Sequence, residues 1–126
     1  MTRSRTKTGV SSTSGDELVA LWYSYAQRNK LNAEARRQCG DEFGAVLNLA
    51  RGEVRQAAAE LLAAVATPHD AAQEMHRRAT SLWLRDLPFV GFDVAAIAYT
   101  KARIWQDCAW AIDPALPEVQ PRLDWA

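Results

Sequence analysis

The chain has 126 residues, a formal net charge of zero, and 48% hydrophobic and 24% charged residues. This composition is typical of one globular domain and excludes a disordered or fibrous chain. No apolar run is long enough to cross a bilayer, and the serine-rich start lacks the apolar stretch of a secretory signal. We therefore expect a cytoplasmic protein without a membrane partner, and its neutral charge gives no case for wholesale nucleic-acid binding.

The apolar pattern of the chain is helical. Alanine, the best helix former, dominates the apolar residues, and valine and isoleucine never alternate with polar residues over the length of a strand. We predict an all-α fold, a compact bundle of four helices within residues 15–113, or five if Gly40 divides the second helix. A flexible basic tail over residues 1–14 and an extended proline-rich tail over residues 114–126 are expected to flank the bundle.

The first half of the chain predicts two helices. Ser14 and Glu17 have the spacing of a capping box, so the first helix is expected to begin there and to fade near Asn29. Asn32 is expected to cap a second helix, whose apolar stripe keeps one phase to about residue 65. Glycine can end a helix in a left-handed conformation, but the unbroken stripe through Gly40 favours one long helix, bent at that point.

The second half of the chain predicts two more helices with clear ends. Thr67 precedes Pro68, which suits the first turn of a third helix because proline has no N–H to satisfy there. A last helix is expected to be capped by Asp93 and to end at Asp113, which precedes another proline.

Catalytic and metal-binding signatures are missing from the sequence. His69 and His76 are two helical turns apart, which is too far for both to ligate one ion from a straight helix. Cys39 and Cys108 lie on predicted apolar stripes, so both are expected to pack in the core. No glycine-rich phosphate loop is present. We therefore expect no metal site, no cofactor and no enzymatic activity.

The aromatic residues suggest a contact surface. Five tryptophans in this length are more than one alanine-rich core obviously needs, and Tyr99 and Trp110 share a helix line away from the main apolar stripe. Tyrosine and tryptophan are favoured interface anchors, and the candidate partner-binding residues are therefore Tyr23, Tyr99, Trp110 and Trp125. An interior completed by these rings is an equally good interpretation, and the sequence leaves both open.

A group of arginines suggests nucleic-acid binding as the alternative to protein contact. Arg37, Arg51 and Arg55 would lie on one side of a single long second helix, with Arg36 beside them, and such a ridge could follow a nucleic-acid backbone. Solvated surface charge is the commoner meaning of such a group. We therefore expect a protein–protein interaction module that binds another protein or a second copy of itself, with nucleic-acid binding as the alternative. Size and alanine- and arginine-rich usage suggest a bacterial or bacteriophage regulator, inhibitor or assembly subunit.

Overall fold

The computed structural model describes residues 14–83 and 91–119, and in these two stretches it contains four helices and no strand. The all-α prediction is confirmed for this part of the chain. No helix in it is both long and apolar enough to span a bilayer. Of the tails expected over residues 1–14 and 114–126, residues 1–13 and 120–126 lie outside the described residues. The helices are α1 (Gly15–Gln38), α2 (Glu42–Ala64), α3 (Pro68–Trp83) and α4 (Phe92–Ile112).

Helix α1 begins as predicted but ends much later. The Ser14 hydroxyl accepts a hydrogen bond from the Glu17 N–H at 3.1 Å, and the Glu17 carboxylate accepts one from the Ser14 N–H at 2.9 Å. The predicted end near Asn29 is wrong, and Asn32 lies inside α1 instead of capping a second helix. The reason is tertiary: Asn29 and Ala33 are buried, so the face of α1 that packs in the bundle continues through them.

The break between the first two helices is at Gly40, so the single long second helix is wrong. Gly40 has φ +86°, its N–H bonds the Arg37 carbonyl at 3.0 Å, and the next N–H, from Asp41, bonds the Arg36 carbonyl at 2.8 Å. This double closure is a Schellman motif, which a glycine adopts without the steric penalty of a side chain. The helix count stays at four because α1 takes the residues before the break.

Helices α1 and α2 form a hairpin with very close contact. A methyl group on Gly52 would lie 3.1 Å from the Cβ of Asn29 and 3.2 Å from the carbonyl oxygen of Ala26. No side chain separates the two helices at this point. The absence of a Cβ at Gly52 therefore sets how near α2 lies to α1.

The ends of α3 and α4 follow local chemistry with one exception. The Thr67 hydroxyl accepts a hydrogen bond from the Asp70 N–H at 3.1 Å, which confirms the predicted start of α3. Helix α4 ends at the predicted Asp113. The predicted cap at Asp93 is wrong, because Gly91 occupies the N-cap position without a side-chain hydrogen bond, and Asp93 lies in the first turn.

The four helices pack as two joined hairpins. Helix α1 packs on α2, α3 packs on α4, and contact between α2 and α4 joins the two pairs. Alanine supplies more than half of the buried hydrophobic residues in the described chain. Among the described residues, the large buried hydrophobic side chains are few, and they are Leu18, Trp22, Leu62, Met75, Ile104 and Trp105. The bundle is therefore held by close helix approach around a small number of bulky residues.

The close approach at Gly52 predicts a sharp size limit. Gly52→Val should lower the free energy of unfolding by about 2 kcal/mol, because the added atoms meet a helix backbone that cannot move away. Gly15→Ala is the matched control, since a Cβ there meets nothing within 4 Å. Urea denaturation of both variants measures the difference. Equal stability of Gly52→Val and the parent protein would contradict the close contact.

A second prediction concerns the stability of the protein at low pH, which depends on Glu74. Hydrogen bonds from Arg77 and Arg78 favour the ionised carboxyl of Glu74 and lower its pKa from 4.5 to about 2. Arg78 also lies over the Trp105 ring, 5.0 Å from its centroid, which links this group to α4. A lowered pKa contributes stability above pH 4.5 that is lost as the pH falls toward 2. Melting temperature measured across this window should therefore fall less steeply in Glu74→Gln than in the parent protein.

Candidate binding surfaces

Within the described structure, neither histidine belongs to a group of side chains that could ligate a metal ion. Among residues 14–83 and 91–119, no three histidine, cysteine or acidic side chains are grouped as a metal site would need. His69 Nδ1 lies 3.9 Å from the Asp113 carboxylate, and His76 Nε2 lies 3.1 Å from the Pro117 carbonyl oxygen. Both imidazoles therefore face the chain that leaves the end of α4.

The two cysteines differ in environment. Cys108 is buried as predicted, and burial raises the pKa of its thiol to about 12, so it is neutral at ordinary pH. The expectation that Cys39 packs in the core is wrong. It is exposed because it is the C-cap residue of α1, at the turn that Gly40 makes. Of the two thiols in the chain, only that of Cys39 is open to solvent.

The structure describes three of the four aromatic residues chosen from the sequence, and their environments differ. Tyr23 and Tyr99 are 42% and 50% exposed, but they lie on α1 and α4, whose main packing partners are α2 and α3. Trp110 is half-buried, and its Nε1–H donates a 2.8 Å hydrogen bond to the Leu116 carbonyl. Trp125 lies outside the described residues. Partner contact by these four side chains stays a prediction.

The segment after α4, residues 114–119, is bound by side chains of the bundle. Gln106 is 1% exposed, and its Oε1 accepts a 2.6 Å hydrogen bond from the Val119 N–H. Nε2 of His76, a residue of α3, lies 3.1 Å from the Pro117 carbonyl oxygen. Sequence patterns gave no sign of Gln106, because a buried amide whose partner is a backbone group leaves no periodic signal.

The predicted arginine ridge does not exist as one helix face. Arg36 and Arg37 belong to the end of α1, and both are in exposed ion pairs, Arg36 with Asp41 at 3.3 Å and Arg37 with Glu34 at 3.5 Å and Glu42 at 3.6 Å. Each of these pairs neutralises charge that a phosphate backbone would need.

The other two arginines lie on α2 and differ from each other. Arg55 Nη1 donates a 2.8 Å hydrogen bond to the Asn29 side chain, and its guanidinium lies over the Tyr25 ring. The guanidinium of Arg51, one turn earlier, has no hydrogen bond or ion pair to any residue in the described ranges. It lines a concavity of about 480 Å³, the polar pocket, whose other lining residues are Asn32, Ala35, Arg36, Cys39, Asp41 and Asn48. Nucleic-acid binding by the four arginines stays a prediction.

A surface that the sequence did not indicate lies where α2 and α4 begin. Phe43, Val46 and Leu49 follow one another at three-residue spacing along α2 and are 36%, 37% and 41% exposed. The Phe43 ring centroid lies 6.0 Å from that of Phe92, the first residue of α4, which is 77% exposed. These four residues form what we call the phenylalanine patch. Phe43 and Val46 fall on the apolar stripe that periodicity predicts for the second helix, but both are exposed in the structure.

No protein-family model, curated protein or solved structure matches this chain. Its function is therefore argued from the surfaces described above. The phenylalanine patch and the polar pocket share no residue, and the 100° turn per residue places Val46 about 140° and Phe43 about 80° from Arg51 around α2.

The attachment of residues 114–119 gives a testable expectation. Gln106→Leu leaves the Val119 N–H without its acceptor, which should lower the free energy of unfolding by about 1–3 kcal/mol. It should also speed hydrogen exchange of the Val119 amide, measured by NMR. Gln56→Leu is the control, because Gln56 bonds only the Glu60 side chain in the described structure. Unchanged exchange at Val119 in Gln106→Leu would show that this hydrogen bond does not hold the segment.

Proposed function

We propose that this protein is a non-enzymatic interaction module that binds another protein through the phenylalanine patch. The observation that carries the proposal is the exposure of Phe92, whose ring packs beside Phe43 and leaves most of its surface in water. Contiguous exposed apolar side chains are unfavourable in water and mark contact sites when several lie together. Aromatic residues in such a position are the usual anchors of binding energy.

The charges around the patch indicate the chemistry of the partner. Glu42 and Glu53 flank Val46 and Leu49 on the same side of α2, and the exposed Asp93 follows Phe92. Glu42 pairs with Arg37 at 3.6 Å and Glu53 pairs with Lys101 at 3.2 Å, but both carboxylates are well exposed and can accept a further cation. A partner segment with apolar anchors flanked by lysine or arginine therefore fits this surface.

A second copy of this chain fits the patch less well. A two-fold contact places each residue near a residue of the same patch, so the acidic rims around Val46 and Phe92 would face each other. Like charges in a contact oppose association. The proposed partner is therefore a different protein.

The nucleic-acid alternative has less support. Arg36, Arg37 and Arg55 already have partners within the described structure, and Asp41 and Glu42 lie among them. A binding surface for a phosphate backbone needs several unpaired cations in a row, because each released counterion adds to affinity.

Site-specific crosslinking tests the proposed contact. A photoreactive amino acid at position 92 should give one dominant adduct in cells of the source organism, and the same probe at position 31 should not. Leu31 is the matched control because it is another exposed large apolar residue, on α1 and outside the patch. Mass spectrometry of the adduct should locate the crosslink in an amphipathic segment that contains lysine or arginine.

Loss of the contact should be separable from loss of the fold. Phe43→Ser and Phe92→Ser should each weaken binding to the crosslinked protein about tenfold or more, and change the free energy of unfolding by less than about 0.5 kcal/mol. Leu31→Ser should leave binding unchanged. Equal adducts from both probe positions, or an adduct with a second copy of the chain, would contradict the proposed partner.

A further inference from the structure

The polar pocket contains an arginine whose environment differs from that of its neighbour. Arg51 and Arg55 are one turn apart on α2, and both are half-buried. Arg55 has the Asn29 oxygen at 2.8 Å and the Tyr25 ring below it. Arg51 has no such partner among the described residues. The N–H donors of the Arg51 guanidinium are therefore available to water or to a ligand. Their planar fork matches the geometry of an oxyanion.

The rest of the pocket favours an anion as that ligand. The side chain of Asn32 has no hydrogen bond to any described residue, so its amide donor is also available. Asp41 is the one acidic side chain in the lining, and its two oxygens are already used. Its Oδ1 accepts from the Gly44 N–H at 2.9 Å, and its Oδ2 pairs with Arg36 at 3.3 Å. The unused charge in the lining is therefore the positive charge of Arg51, and the Asn32 amide can add a donor beside it.

Asn48, which lines the pocket, is held by two hydrogen bonds. Its amide donates to the Gly44 carbonyl at 3.0 Å and accepts from Asn29 at 3.4 Å, and the second of these bonds joins α1 to α2. At about 480 Å³, the concavity is in the size range of small-molecule sites and larger than inorganic phosphate needs.

We propose that the polar pocket between α1 and α2 binds the phosphate group of a small molecule, with Arg51 as the main contact and Asn32 as a second donor. The phosphate comes either from free inorganic phosphate or from a small phosphate monoester. This site contains none of the residues of the phenylalanine patch, and it does not depend on the proposed protein contact.

Cys39 supplies a built-in reporter for this test. It lines the pocket and is exposed, whereas Cys108 is buried and its pKa is raised to about 12. A neutral alkylating reagent such as iodoacetamide should therefore react at Cys39 first. Inorganic phosphate, added at constant ionic strength, should slow this reaction in a saturable manner, as followed by intact mass spectrometry.

Variants assign the protection to the pocket. Arg51→Ala should weaken the apparent phosphate affinity about tenfold or more, because a charge-assisted hydrogen bond is lost. Arg51→Lys should retain part of the affinity, since the point charge stays and the fork is lost. Arg77→Ala is the control for overall charge, because Arg77 is exposed on α3 and bonds Glu74. Circular dichroism and urea denaturation establish that each variant is folded.

The choice of anion decides the outcome. Tighter protection by a nucleoside or sugar monophosphate than by phosphate identifies an organic phosphate as the ligand, and equal protection identifies free phosphate. No protection by either anion would overturn the proposal. Equal protection by acetate, or protection that is unchanged in Arg51→Ala, would overturn it as well, because the site would then lack phosphate recognition or lie elsewhere.

Discussion

The close approach of α1 and α2 at Gly52 is the contact on which the remaining structure depends. At this point the backbone of α1 meets α2 without an intervening side chain, and most of the other buried positions carry alanine. Helices that meet through small residues lie close together, and the interior between them has little room for large rings. Trp22, Met75 and Trp105 fill the space that is left.

A core of this kind has a consequence for the surface. Phe43 and Phe92 each lie on a helix with an apolar stripe. The interior between the alanine contacts has little room for large rings, so both remain exposed at the end of the bundle where α2 and α4 begin. The proposed phosphate pocket lies near the turn of the α1–α2 hairpin, where the half-buried Arg51 is beside exposed residues of α1.

The aromatic surplus has three different uses, and periodicity could not separate them. Trp22 and Trp105 are buried in the core, Trp110 binds the carbonyl of a later residue, and Phe92 is exposed beside Phe43. All four occur on helices at ordinary spacing. What distinguishes them is which part of the chain lies opposite each ring, and that part is distant in sequence for every one except Trp110.

The sequence alone determined the helical class and the helix ends at Ser14, Thr67 and Asp113, because each end is built from hydrogen bonds within a few residues. The tertiary structure decided that α1 continues past Asn29, since that residue belongs to a buried face that α2 completes, whereas the end of α1 at Gly40 is again a local hydrogen-bonded motif. It also decided which apolar and basic residues are exposed. Burial depends on contacts between distant segments, and the periodicity of one helix describes only the helix itself.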